Sequence, residues 1–343
     1  MSRILAIGGT GFIGRFASAQ LLAMGHDVTV FHRGASPAIP GAASVRGERR
    51  EMTNLRSELR QVRADVVVDF LISNERQAIE LIEMFRGHAG RVVMLSSCDV
   101  YRAVGIFHGT EPGEPDNTLI TEDTPVRTRL HPYPPATMRA ARGMYPWLEE
   151  DYDKIPAERA ILACADFPGT VVRLPMIYGP GDPGHRFLPV VKRIDEGRGF
   201  ILLDEGTAQW RAIRGYVEDV AWAVALAATD ARAAARVYNV GDQENFTERE
   251  WQQQIAQAAG WKGRFVVLPE QRMPAHLKPR GDVRQHWSVD SSRIRSELGY
   301  RERVSREDAL ARTIAWERAN PPARINPAEY DYAAEDAALE SEP

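Results

Sequence analysis

Three glycines near the start of the 343-residue chain have the spacing of a phosphate-binding turn, Gly8-x-x-Gly11-x-x-Gly14. They follow a short apolar run and open a helical pattern, which is the context that a dinucleotide-binding loop requires. Gly8 would allow a sharp turn, and Gly11 would let backbone N–H groups approach a pyrophosphate. Gly14 would let the helix pack close to the strand, with its N-terminus directed at the phosphates. The loop residues that we expect to line the cofactor are Gly8, Thr10, Gly11, Phe12, Ile13 and Gly14.

The end of the second predicted strand indicates which dinucleotide is bound. In NAD-binding versions of such a unit an acidic residue here takes the ribose hydroxyls, whereas an arginine accommodates the extra phosphate of NADP. In this chain His32 stands in place of the acid and Arg33 follows, while Arg15 could add charge at the same corner. We therefore predict NADP as the cofactor, with NAD as the alternative. The competing interpretation of Arg33 is a solvated loop arginine.

Alternating strands and helices must position these groups. Asp65–Leu71 is continuous and β-branched, as expected of a buried parallel strand. Further strands are predicted at Arg91–Leu95 and Thr170–Leu174, with helical patterns between the strands. This order predicts an α/β protein with a Rossmann-type, doubly wound parallel sheet. Ligands of such sheets lie at the carboxyl ends of the strands, so we expect Phe70 and Ser96 beside the cofactor.

Composition excludes several classes of function. With 44% hydrophobic and 26% charged residues the chain is typical of a soluble globular protein, and its net charge of −4 predicts no general attraction to nucleic acid or membranes. No apolar run is long enough to span a membrane, and the chain enters a strand without a secretory pattern. Two cysteines, Cys98 and Cys164, suit a reducing, cytoplasmic location. The histidines lack metal-ligand spacing, so we predict no metal site.

Six motifs in order along the chain resemble the extended short-chain dehydrogenase/reductase family, also called the NAD-dependent epimerase/dehydratase family. After the glycine loop they are Ser96-Ser97…Val100-Tyr101, Lys154…Glu158, Arg173-Leu174-Pro175…Tyr178-Gly179-Pro180, Tyr216-Val217-Glu218-Asp219-Val220 and Leu298-Gly299-Tyr300. The resemblance implies a Rossmann domain with a smaller C-terminal substrate-binding lobe, and Pro175 beside the cofactor. It implies substrates such as nucleotide sugars or other small carbonyl and hydroxyl compounds. It also implies a homodimer that pairs through a helix bundle including residues 149–165.

The resemblance divides the chain into regions. Residues 1–175 would mainly form the NAD(P)-binding domain, in which 105–146, rich in Pro, Gly, Thr and Arg, would be an irregular insertion or lid. Residues 176–320 would mainly form the substrate lobe, with some segments returning to the Rossmann sheet. The Pro-, Ala- and Glu-rich residues 321–343 are predicted to be a flexible tail.

In this family a Tyr-x-x-x-Lys pair on a helix works with a serine at the end of the preceding strand. Ser97 and Lys154 match that serine and lysine, but Glu150 occupies the tyrosine position and the nearest tyrosine is Tyr152. We assign Ser97, Tyr152 and Lys154 as catalytic. Either the helix predicted over 149–165 starts late, with Pro156 in its first turn and Tyr152 ahead of it, or another group carries the proton. The other candidates are Tyr133, Tyr145 and Glu150. Asp99 is interpreted as a turn residue or a local cap rather than as a catalytic acid.

The predicted substrate-binding residues lie near the ends of predicted strands, one of them in the first half of the chain and five in the second. Arginines there could grip a phosphate or carboxylate through two hydrogen bonds, although surface charge is an equally good interpretation. These residues are Tyr101, Tyr178, His185, Arg186, Arg211 and Arg214.

The sequence therefore predicts an NAD(P)-dependent oxidoreductase, epimerase or dehydratase of the extended short-chain type. Its partner would be a small molecule, a nucleotide sugar or a similar compound. The alternative is a catalytically reduced NADP-binding sensor or partner-binding protein, because divergent members of the family have lost the tyrosine and bind RNA or regulatory proteins instead. The net negative charge argues against nucleic acid here.

Overall fold

The computed structural model of the chain describes residues 1–340. Its strands are β1 (Arg3–Ile7), β2 (Asp27–His32), β3 (Ala43–Arg46), β4 (Val66–Asp69), β5 (Arg91–Ser97), β6 (Gly169–Leu174), β7 (Met176–Tyr178), β8 (Phe200–Asp204), β9 (Arg214–Tyr216), β10 (Val237–Asn239) and β11 (Arg264–Leu268). Its α-helices are α1 (Gly14–Ala23), α2 (Arg56–Gln61), α3 (Glu75–Phe85), α4 (Arg102–Phe107), α5 (Pro135–Met144), α6 (Lys154–Ala163), α7 (Leu188–Asp195), α8 (Glu205–Gln209), α9 (Val217–Thr229), α10 (Glu248–Ala258), α11 (Ser292–Leu298), α12 (Arg306–Ala319) and α13 (Tyr332–Glu340).

Seven strands form one parallel sheet in the order β10-β6-β5-β4-β1-β2-β3. The chain moves outward from β1 through β2 to β3 and then returns to place β4 on the other side of β1. Ligands of doubly wound sheets bind where the strand order reverses in this way, outside the carboxyl ends of the strands. The predicted Rossmann-type sheet is confirmed, and its switch point lies between β1 and β4.

Helices cover both faces of this sheet because successive residues of a strand point to opposite sides. Ile4 and Ala6 of β1 belong to a core that includes residues of α1 and α9, whereas Leu5 and Ile7 pack with α3 and α6. All four of these β1 side chains are fully buried. This explains why the strand is a continuous apolar run rather than an alternating one.

The second half of the chain adds a smaller layer at the carboxyl edge of the sheet. It contains two short parallel pairs, β8 with β11 and β7 with β9, together with α7, α8, α10 and α12. Strand β10 lies beyond residue 175 yet completes the large sheet beside β6. The division of the chain at residue 175 remains a prediction. No helix within residues 1–340 is long and apolar enough to cross a membrane.

The C-terminal residues differ from our expectation of a flexible tail. Helix α13 packs on the lobe, and the carboxylate of Glu335 is fully buried there. It pairs with Arg193 at 2.5 Å and with Nε2 of His276 at 3.0 Å. A composition argument misses such contacts because it counts charges without knowing which ones find buried partners. The prediction of a flexible tail is wrong for this helix, and residues 341–343 lie outside the described part.

Candidate active site

The glycine turn at the end of β1 is built so that only glycine fits at two positions. Gly8 has a φ of +80°, and a Cβ there would lie 2.6 Å from Cγ of Leu71. A Cβ on Gly14, the first residue of α1, would collide with the carbonyl oxygen of Gly8. The turn therefore brings exposed backbone and a helix N-terminus together at the switch point, which is a fitting cradle for a pyrophosphate.

A cavity of about 290 Å³ lies next to this turn, at the carboxyl ends of the central strands and beneath α5. Nine of the residues predicted from the sequence share it. They are Phe12, Ile13, Phe70, Ser96, Ser97, Tyr152, Lys154, Pro175 and Arg186.

Helix α6 begins at Lys154, five residues later than the predicted start at 149. Asp153 caps it, because its side chain accepts a hydrogen bond from the backbone N–H of Ile155 at 2.9 Å. The same carboxylate pairs with the buried guanidinium of Arg127 at 3.3 Å. Tyr152 consequently precedes the helix in extended chain, which corresponds to the first of the two alternatives drawn from the sequence.

Asp99 joins two tyrosines in the cavity. Its Oδ2 accepts hydrogen bonds from the hydroxyls of Tyr152 at 2.8 Å and Tyr133 at 3.0 Å. Its Oδ1 is buried without a hydrogen-bond partner among the described residues, so it has capacity for a ligand. Asp99 lies in the single 3-10 turn Cys98–Val100, as the turn interpretation expected. The sequence could not show that its side chain also meets residues 34 and 53 positions away.

The environment separates the proton affinities of these three groups. Burial raises the pKa of Asp99, although the charge of Arg127 and the two tyrosine hydrogen bonds oppose the shift. Burial and the adjacent carboxylate raise the pKa values of Tyr133 and Tyr152 well above their usual value. Asp99 is therefore the proton acceptor among the three groups, and the tyrosines are hydrogen-bond donors.

Lys154 is fixed at the floor of the cavity. Its ammonium donates to the carbonyl oxygens of Ile72 and of Leu95, the latter at 3.0 Å. An ammonium has three N–H donors, so one remains for a ligand. Burial lowers the pKa of Lys154 to about 8, against the opposing charges of Asp99, Asp69 and Glu158.

The two serines at the end of β5 differ in what they can do. Ser96 donates to the carboxylate of Glu158, which also pairs with Arg173 at 2.8 Å, so Ser96 belongs to a buried network beneath the cavity. Ser97 accepts a hydrogen bond from the backbone N–H of Asp99 at 3.1 Å. Its own hydroxyl hydrogen remains available to a ligand oxygen in the cavity.

The corner at the end of β2 carries one cation that the sequence analysis missed. His32 is buried and its Nδ1 accepts from the backbone N–H of Gly34 at 3.1 Å, whereas Arg33 is exposed. The parallel pairing of β2 with β3 places Arg46 opposite His32. Arg15, in contrast, donates to the carbonyl oxygen of Pro180 and does not contribute to this corner.

Three of the predicted substrate residues do not line the cavity. Tyr101 is fully buried and its hydroxyl donates to Asn239 at 2.6 Å. His185 lies 2.7 Å from the carboxylate of Glu317 on α12. Arg211 donates to the carbonyl oxygen of Asn245 at 2.8 Å within the lobe. These assignments are corrected, because position at a strand end does not fix the direction of a side chain.

The other three predicted substrate residues line a second cavity of about 300 Å³. Tyr178 and Arg214 pack there against Trp251, whose ring centroid lies 4.9 Å from the guanidinium carbon of Arg214. Arg186 lines both this cavity and the one with Lys154. It is held by Asp182 at 2.5 Å and so marks the border between the two spaces.

A glycine cradle at the switch point of a doubly wound sheet, with a buried lysine beside it, defines a Rossmann-fold protein of the dinucleotide-binding class. The model of the NAD dependent epimerase/dehydratase family matches residues 4–241, and the chain belongs to that family.

Similar proteins differ in the reaction that their names print. The chain is 27% identical over 327 residues to a dTDP-6-deoxy-L-talose 4-dehydrogenase (NAD(P)(+)) from Kitasatospora kifunensis, which covers 90% of this chain and 93% of the relative. It is 25% identical over 342 residues to a UDP-N-acetyl-alpha-D-glucosaminuronate decarboxylase from Bacillus cytotoxicus, covering 92% and 98%. The solved structure of MoeE5 in complex with UDP-glucuronic acid and NAD shares the fold, with a TM-score of 0.65 at 21% identity over 92% of this chain and 99% of that one.

Proposed function

We propose that the protein is an NADP-dependent oxidoreductase, epimerase or dehydratase that acts on a nucleotide sugar. The observation that carries the proposal is the meeting of Ser97, Asp99, Tyr152 and Lys154 around one cavity beside the glycine turn. Family membership and the names of the relatives support the class of reaction and substrate.

Each of these side chains has one task in the proposal. A nicotinamide dinucleotide bound at the glycine turn supplies hydride transfer. Lys154 holds a ribose hydroxyl with its remaining N–H, and Ser97 donates to the substrate oxygen. Asp99 takes the proton of the substrate alcohol, directly or through the hydroxyl of Tyr152. A carboxylate thus replaces the tyrosinate of the intact Tyr-x-x-x-Lys arrangement, whose position is Glu150 here.

The preference for NADP rests on Arg33 and Arg46 at the end of β2 and β3. Titration with NADPH and NADH should give tighter binding of NADPH. Arg33→Ala and Arg46→Ala should each reduce that preference by about tenfold or more, since a hydrogen bond to a charged group contributes about 1.5–3 kcal/mol. Arg63→Ala, outside this corner, is the control. Equal affinities, unchanged in the variants, would overturn the assignment.

The second cavity supports a nucleoside diphosphate on the substrate. Arg186 and Arg214 can each contact phosphate oxygens, and the rings of Trp210 and Trp251 offer surfaces to a base or sugar. Because Arg186 lines both cavities, a substrate that spans them would place its sugar next to Asp99.

The proposed function is tested by measuring turnover of nucleotide sugars, in the presence of the cofactor, by the wild type and four variants. Ser97→Ala, Asp99→Asn and Lys154→Ala should each lower turnover by about 10²- to 10⁴-fold. Arg211→Ala, whose side chain lies outside the cavity, should not. Unchanged turnover in the first three variants would refute the proposed site. Cofactor binding without turnover of any nucleotide sugar would favour a sensor or partner-binding protein.

We further propose a cytoplasmic homodimer. The free thiols Cys98 and Cys164 suit a reducing compartment. Ile79 on α3 and Leu162 on α6 are 43% and 37% exposed, and these two helices pack side by side. Light scattering should give twice the mass of the chain, and Leu162→Glu should give the single mass.

A further inference from the structure

A third cavity, of about 560 Å³, lies between the ends of β9 and β10 and the start of α12. Its lining does not include Ser97, Asp99 or Lys154. Its lining contains four carboxylates against two arginines. The carboxylates are Asp219, Asp242, Glu244 and Glu302, and the arginines are Arg303 and Arg306.

Asp242 is the unusual group of this lining. The residue is only 7% exposed and lines the cavity, yet no residue within 1–340 donates a hydrogen bond to its carboxylate. The nearby cations are committed to other acceptors: Arg306 to Glu244 at 2.8 Å, Arg214 to Glu248, and Arg295 to Glu302. Because this carboxylate lines the cavity, its oxygens can accept hydrogen bonds from a ligand or from solvent there.

Two further acceptors face the same space. Tyr178 is buried as a residue, and its hydroxyl has no hydrogen-bond partner within residues 1–340. Asp219 uses only Oδ1, which accepts from the backbone N–H groups of Arg303 at 2.7 Å and Val304 at 3.2 Å, so its Oδ2 is left for the cavity.

The chemistry of these acceptors selects the ligand. No group of three or more His, Cys, Asp or Glu within the described chain could hold a metal ion, and Ca²⁺ would need six to eight oxygens. A primary ammonium has three N–H donors, and Asp242, Asp219 and Tyr178 supply three acceptor groups in the lining of this one cavity. The ring of Tyr178 adds an attractive surface for a cation.

We propose that this cavity is a binding site for a small organic cation, whose primary ammonium group lies against Asp242 with Asp219 and the hydroxyl of Tyr178 beside it. The proposal does not depend on the proposed reaction, although Tyr178 lines the second cavity as well as this one.

Protonation of the site should control binding. Burial raises the pKa of Asp242 to about 7 and that of Asp219 to about 6. The carboxylate form binds the cation, so affinity should be present above pH 7 and fall as the pH drops through that value. The charged and titratable groups that act on Asp242 are Arg214, Arg295, Arg306, Asp219, Glu302, Tyr178 and Tyr300.

The test uses calorimetric titration of the full chain with putrescine, and with the neutral 1,4-butanediol as its isostere. We expect saturable binding of putrescine at pH 8, none of the diol, and release of protons at pH 7 seen by comparing buffers of different ionisation enthalpy. Asp242→Asn should weaken binding by about tenfold or more, since it removes a charge-assisted hydrogen bond. Tyr178→Phe should weaken it less and serves if Asp242→Asn does not fold.

Asp308→Asn is the matched control, because Asp308 lies in the first turn of the same helix α12 but does not line the cavity. It should bind putrescine like the wild type. The proposal would be overturned if Asp242→Asn and Tyr178→Phe both bound putrescine as tightly as the wild type. Binding of the diol as tight as that of putrescine, or absence of putrescine binding at pH 8, would also overturn it.

Discussion

At the scale of single residues, the proposed reaction depends on a carboxylate whose proton affinity is set by its neighbours. Two tyrosine hydroxyls share one oxygen of Asp99, and the backbone carbonyl of Asp99 accepts from Nε of Arg127 at 2.7 Å. All three neighbours favour the ionised form of Asp99 against its burial.

Removal of the hydroxyl of Tyr133 should shift the pH dependence of turnover. Tyr133→Phe deletes a hydrogen bond that lowers the pKa of Asp99, so the pKa rises. The acid limb of the pH profile of kcat/KM should then move to higher pH. Tyr145→Phe is the control, since Tyr145 lines the same cavity but contacts Arg186. A limb that stays in place in Tyr133→Phe would show that Asp99 is not the base.

Lys154 should make cofactor binding depend on pH in the alkaline range. Its pKa of about 8 means that the ammonium loses its charge and one N–H donor as the pH rises above that value. The dissociation constant of NADPH, measured by fluorescence titration, should rise above pH 8. Lys154→Met should bind more weakly and without this dependence.

The surface lysine Lys192, which pairs with Glu196 on α7, offers the comparison. Lys192→Met should retain the wild-type pH dependence. If Lys154→Met retains it as well, another group holds the cofactor.

At this scale the sequence identified candidate residues better than it predicted where their side chains point. Ser97 and Lys154 could be found because the motifs around them, Ser97…Tyr101 and Lys154…Glu158, resemble those of the family. Tyr101 and His185 could not be rejected, since only the tertiary structure shows that Asn239 and Glu317 hold them elsewhere.

At the scale of elements, the start of α6 decides where Tyr152 points. The helical pattern of residues 149–165 favoured an earlier start, because Glu149, Glu150 and Asp151 are compatible with a first turn. Asp153 was the local signal for the observed start, as aspartate is a preferred N-cap. Its pairing with Arg127, which comes from the irregular region, is a long-range contact that no local pattern reveals.

Loss of the Asp153 side chain should be far more costly than loss of an ordinary cap. Asp153→Ala removes an N-cap and leaves Arg127 buried without its partner, so the free energy of unfolding should fall by about 3–5 kcal/mol. Ser305→Ala removes the exposed cap of α12 and should cost about 1 kcal/mol. Denaturant unfolding measures both, and equal losses would contradict the role of the ion pair.

At the scale of the whole molecule, the C-terminal helix α13 fastens the smaller layer by one buried ion pair. Glu335 is fully buried with Arg193, while Asp336, the next residue, pairs with Arg198 at the surface and is about half exposed. The fold of the large sheet was predictable because its central strands, β1, β4 and β5, contain continuous apolar runs. The docking of α13 was not predictable, because the contribution of Glu335 to stability depends on Arg193, a partner 142 residues away.

Glu335→Ala should therefore lower the free energy of unfolding by about 3–5 kcal/mol, since it leaves Arg193 buried and unpaired. Asp336→Ala should change it by no more than about 1 kcal/mol, as expected of a partly exposed pair. Thermal unfolding of the two variants side by side decides this, and similar melting temperatures would show that α13 contributes little.

Tyr133 belongs to the irregular segment ahead of α5, whereas Asp99 belongs to the edge of the sheet. The hydrogen bond between Tyr133 and Asp99 therefore links the position of this segment to the protonation of Asp99, and linkage makes the effect mutual. Loss of this hydrogen bond would raise the pKa of Asp99 and so weaken it as a base at a given pH. Ionisation of Asp99 at higher pH would in turn favour the position of the segment in which Tyr133 donates to it.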